Sequence, residues 1–190
     1  MTLFEFVLAF SSVISALALG HLLAGAVHIL RRRHLVRFSL THALWMYAIL
    51  AMTMGNWAAD WSLRALTEWP AWTVLWLITS KIAQYALCVF VTPEFRAEDE
   101  KIDLVAFYDR EGRNVLWAMI AFCFIAFLFN IAFSGFYGSW LRDSVITIVA
   151  FAFTVLALII RARWAQTVTA AAIAALSTYF LIATSTLGTG

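Results

Sequence analysis

Charge is scarce in this chain. Only 13% of its 190 residues are Asp, Glu, Lys or Arg, where a soluble domain carries about 25%. The sequence has 2 Pro, 2 Cys and 8 Gly. That excludes a collagen-like fold, a Pro/Gly-rich disordered chain and a disulfide-stapled secreted domain. Cys88 and Cys123 lie in apolar segments without CxxC spacing and are expected to be small core residues. There is no HExxH, no P-loop, no nucleophile elbow, no glycine fingerprint and no TVGYG filter, so no enzyme constellation emerges. A net charge of +2 without a basic-aromatic patch excludes nucleic acid as a partner.

What is present is apolar surface: 64% hydrophobic residues and a mean hydropathy of +0.87. A small globule cannot bury that much, because a large part of any small fold stays exposed. The expected solvent is lipid. Six stretches approach the roughly 20 apolar residues needed to cross a bilayer: Phe4–Leu30, Thr41–Ala59, Trp72–Val91, Val115–Phe136, Trp140–Ile160 and Trp164–Leu187. Each span must be helical, since hydrocarbon offers no partner to an unpaired backbone group. The first has no positive n-region and outruns a signal-peptide core, so it reads as a retained span. The expected fold is all-α: one domain over residues 1–190, a six-helix polytopic membrane bundle of three hairpins.

Orientation follows from Arg and Lys. Arg31, Arg32, Arg33 and Arg37 fill the first loop; Arg96, Lys101, Arg110 and Arg113 the third; Arg161 and Arg163 the last turn. The opposite side has Arg64 and Arg142. The positive-inside rule places the three basic loops in the cytoplasm and both termini outside, as in a bacterial-type inner membrane. Trp57, Trp61, Trp69, Trp72 and Trp140 gather at the outer boundary as an aromatic belt. The acidic cytoplasmic loop, residues 93–114, holds seven of the 11 acids and includes apolar residues that suit a short surface helix. It is expected to be a solvated loop or a docking point for a cytoplasmic protein.

Lys81 is the most informative residue. It sits midway along the third apolar stretch, where a lysine costs about 2.5–3.5 kcal/mol on insertion scales. Gln84, Tyr85 and Cys88 continue a polar stripe from it. Its stem can reach about one turn outward, to the level of Asn56 and Asp60 on the second stretch. Two readings follow: a buried pair that fixes helix packing, or a relay or substrate-binding charge. Glu5, Ser12 and His21, with Ser11 and Ser15 beside them, make the first stretch semi-polar. That suits a helix lining a path, or close packing through serines and the run Ala16, Gly20, Ala24.

The leading functional expectation is a small channel or transporter for protons, cations or a small polar solute. Its path is lined by Lys81, Asp60, Asn56, His21, Gln84, Glu5 and Ser12. The chain has little room for an internal pathway, so a homo-oligomer, a dimer, is expected. No cofactor is expected under that reading. The alternatives are a redox subunit with one haem b between His28 and His42, which lie at similar depth on adjacent helices, and a non-catalytic scaffold engaging a partner through residues 94–113.

Overall fold

A computed structural model describes residues 2–66, 68–94, 101–132 and 140–186. The described residues form six α-helices: α1 Leu3–Arg31, α2 Leu40–Asp60, α3 Ala71–Val91, α4 Leu104–Ala132, α5 Trp140–Ile159 and α6 Arg163–Thr186. Helices α1, α3, α4 and α6 are long and apolar enough to cross a membrane by length and composition. Helix α5 contributes a shorter apolar stretch, Ser144–Ile159.

Local chemistry explains the starts. Thr2 caps α1 in a reciprocal box: the Glu5 amide donates to Thr2 Oγ1 at 3.2 Å and the Thr2 amide to Glu5 Oε2 at 2.8 Å. Ser39 accepts from the His42 amide at the head of α2. Pro70 precedes the first residue of α3, where its missing N–H leaves no helical bond unmade.

The fourth helix departs from expectation. It starts at Leu104 and not Val115, so the supposed surface helix within 93–114 is instead the first turns of α4. Asp103 Oδ1 accepts from the amides of Val105 and Ala106 at 2.9 and 3.0 Å, which nucleates the helix there. Leu104, Gly112 and Val115 are buried and Tyr108 half-buried, so one face of these turns packs and the charges point away. Residues 95–100 lie outside the described ones.

Antiparallel neighbours alternate down the bundle. Trp57, late in α2, donates to Ser12, early in α1. His42, early in α2, meets Val91 at the end of α3, and Trp76 of α3 reaches the Ile125 carbonyl of α4. Helices α2 and α6 run parallel, with Thr41 on Thr167 and Gly55 against Phe180. The basic segments therefore gather at one end of the bundle, called the basic end below. There a two-residue parallel bridge pairs Val36–Arg37 (β1) with Ile102–Asp103 (β2), and Arg37 and Asp103 form an ion pair at 3.0 Å.

Helix α2 is the centre. Nine of its residues are buried, from His42 to Asp60, and α1, α3, α4 and α6 all contact it. Its core neighbours are Ala18, Leu22, Leu87, Met119 and Ile173. Three of its polar residues, His42, Thr53 and Asp60, are buried among those neighbours.

Candidate functional site

The site begins with the end of α2. Asp60 is its last residue, and a 3-10 segment, Trp61–Ala65, follows. Opposite stands Lys81 in the middle of α3. Lys81 Nζ and Asp60 Oδ2 are 2.7 Å apart, and their side chains are only 3% and 9% exposed. A lone buried charge is expensive, and mutual attraction offsets that only at close range with further polar support. Ser11 of α1 supplies some, with its hydroxyl against the Asp60 carboxylate. Its Oγ donates to the Leu8 carbonyl at 3.1 Å.

Apolar residues close the pair on both sides. Toward the N-terminal end, Val7, Leu63 and Leu77 form a buried cluster backed by Phe4, Leu66, Trp69 and Phe129. Val7 and Leu77 lie one turn from Ser11 and Lys81 respectively, so this cluster stands directly over the charges. On the other side the main core begins with Ala18, Met52 and Cys88.

Beneath the pair lie two polar groups with unmet capacity. Gln84 is one turn on from Lys81, and Ser15 one turn on from Ser11; both are buried. Gln84 Nε2 and Ser15 Oγ have no hydrogen-bond partner among the described residues. Gly25 of α1 lies so close to the methyl of Thr92, the residue just after α3, that even a Cβ would collide with it. That contact fixes the register of these parallel helices and levels Ser15 with the Ile82–Gln84 turn. An unpaired buried polar group costs about 1–3 kcal/mol, so two at one depth mark a place where the fold is not optimised for stability alone.

The polar line then continues to the basic end. Thr53 donates to the Ile49 carbonyl at 2.7 Å and lies 3.9 Å from Cys88 Sγ. Thr92 donates to the Cys88 carbonyl at 2.7 Å. His42 Nε2 sits 2.9 Å from the Val91 carbonyl, with Phe107 edge-on to its ring at 5.5 Å. All of these are bonds that complete the fold.

The other candidates fall elsewhere. Glu5 is exposed and serves the α1 cap. Ser12 accepts from Trp57 Nε1 at 3.1 Å. His21 is exposed, its ring 6.4 Å from that of Tyr85, which also points outward and leaves the stripe of Lys81, Gln84 and Cys88. Asn56 is half-buried and donates to the Met52 carbonyl of its own helix at 2.9 Å. The run Ala16, Gly20, Ala24 faces outward, and Gly20 has open space around it. Close packing falls instead to Gly25 and Gly55. For His42 to bind a haem iron through Nε2 it would have to leave the Val91 carbonyl. Among the described residues no three of His, Cys, Asp or Glu converge as a metal site.

One polar network escaped the sequence reading. Trp45 Nε1 donates to Tyr108 Oη at 2.8 Å, and that hydroxyl donates to Gln166 Oε1 at 3.0 Å. Gln166 Nε2 in turn donates to the carbonyls of Ala157 and Ile160 at 2.5 and 3.0 Å. Four helices, α2, α4, α5 and α6, are tied by one chain of bonds. No spacing links positions 45, 108 and 166; only the adjacency of the helices does. No family model matches this chain, and comparison with curated proteins and with solved structures returns no match either.

Proposed function

We propose that the chain is a six-span membrane transporter for protons, cations or a small polar solute, with Asp60 and Lys81 as its binding centre. The observation that carries this reading is the enclosed ion pair with unpartnered Gln84 Nε2 and Ser15 Oγ beneath it. Ionisable residues within membrane spans are rare and costly, and those that face the bundle interior commonly mark ion or substrate paths. A pair closed on both sides is an occluded centre and not an open pore. Solute or proton competes with the pair for its charges, and the separated groups then have Ser11, Ser15 and Gln84 as further partners. The apolar cluster around Leu63 and Leu77 is the barrier on the outer side. Under the positive-inside reading the basic end is cytoplasmic, the membrane is of the bacterial inner-membrane kind, and the transporter acts as a homodimer.

The test is flux into liposomes. Purified wild type is expected to collapse an imposed proton or cation gradient faster than empty vesicles. The charge-free Asp60→Asn, Lys81→Met double variant is expected to fold and to carry nothing. Undiminished flux in that variant would sink the proposal.

A further inference from the structure

We infer that the chain holds an anionic phospholipid at its basic end, in a cleft between α4 and the turn joining α5 to α6. The cleft measures about 250 Å³. Arg113 and Arg161 stand on it, above a floor of Leu116, Ala157 and Leu158. Neither arginine has an ion pair among the described residues. The acid that shares the cleft, Asp109, is already taken by Arg163 at 2.8 Å. Tyr108 and Gln166 also line it, but their polar ends belong to the four-helix network. Two guanidinium groups are therefore the unanswered charges, and their planar forks match a phosphate.

Size and depth narrow the ligand. The cleft falls below the roughly 300–1,000 Å³ of sites that enclose a drug-sized molecule, which suits a phosphodiester headgroup and not a nucleotide. Arg113 lies two residues before the apolar stretch of α4, and Arg161 follows the last turn of α5. Trp164, exposed on the first turn of α6, adds an aromatic of the kind found at headgroup level. A basic pocket between helices at the cytoplasmic boundary, with an apolar floor for the start of an acyl chain, is a site for an anionic lipid. The inference rests on the chain lying in a bilayer and is independent of what Asp60 and Lys81 do.

The full chain in detergent is titrated with phosphatidylglycerol, with phosphatidylcholine of the same acyl chains, and with inorganic phosphate. Melting temperature and lipid retained in native mass spectrometry are the readouts. Phosphatidylglycerol is expected to raise the melting temperature and stay bound, and phosphatidylcholine to do neither. The R113Q/R161Q variant is expected to weaken phosphatidylglycerol binding about tenfold or more. R31Q/R33Q removes the same charge elsewhere at the basic end and is expected to bind as wild type does. Arg161→Gln alone changes an exposed turn residue, so it serves if the double variant fails to fold; it is expected to weaken binding several-fold. Equal response to phosphatidylcholine, unaltered affinity in the arginine variants, or a full effect of phosphate alone would each overturn the inference.

Discussion

The bundle contains two polar interiors of opposite character. Between α1, α2 and α3 a charged pair is enclosed by apolar residues, and polar atoms beside it go without partners. Between α2, α4, α5 and α6 a neutral chain runs from Trp45 through Tyr108 to Gln166, each donor finding an acceptor. A fully connected network stiffens the helices it joins. A charged centre with unmet hydrogen-bonding capacity is the better place to exchange partners. The contrast sets a fully bonded interior toward the basic end against a charged one with unmet polar capacity around Asp60 and Lys81.

The largest test removes one charge at a time. Lys81→Met or Asp60→Asn alone leaves a buried, uncompensated group and is expected to destabilise the fold by about 3–5 kcal/mol, read as loss of melting temperature in detergent. The double variant is expected to regain most of that loss while remaining inactive. Were it as unstable as the single variants, the two charges would not be acting as a pair. Next in size is Gly25→Ala, which presses α1 off Thr92 at the end of α3. An overpacking cost of about 1–3 kcal/mol is expected, together with altered flux, because the same contact levels Ser15 with Gln84.

Tyr108→Phe probes the other interior. It strands Trp45 Nε1 and Gln166 Oε1 and is expected to cost about 1–2 kcal/mol with flux unchanged. A strong loss of flux without loss of stability would erase the contrast. The smallest effect concerns the β1–β2 bridge. Asp103 titrates below its usual value because the Ala106 amide, and then Arg37 and the Val105 amide, favour the carboxylate. A depressed pKa contributes stability above the unfolded value of about 3.9 that is lost as pH falls through the lower, folded value. Amide exchange at Ile102 should rise in that acid range, and Asp103→Asn should remove the dependence.

The helices were legible in the sequence because long apolar runs end at charges and at Pro. Expected Phe4–Leu30 and Trp72–Val91 became Leu3–Arg31 and Ala71–Val91. The start of α4 was obscured because its first turns are amphipathic, and their charges outweighed the buried face of Leu104, Gly112 and Val115. Lys81 and Asp60 stood out because charge is rare here. Glu5, Ser12 and His21 drew attention as polar groups in an apolar run, yet a cap, a Trp57 contact and an outward face account for them. Ser11 and Ser15 differ from Ser12 only by rotation about the α1 axis, and a sequence fixes that rotation only if one face is distinctly apolar. Helix α1 scatters its polar residues around a mostly apolar surface, so no single face stands out.

Composition and the placement of charge alone pointed to six apolar helices and singled out one lysine amid hydrocarbon-like sequence; four of the helices that formed are long and apolar enough for a membrane. Partnership came from three dimensions. Which serine meets Asp60, why Gly25 and not Gly20 is the tight spot, and how residues 45, 108 and 166 join depend on helix rotation and register. Those are settled by packing among helices far apart in the chain, where contact at a few ångströms, and not spacing along the sequence, determines which groups interact.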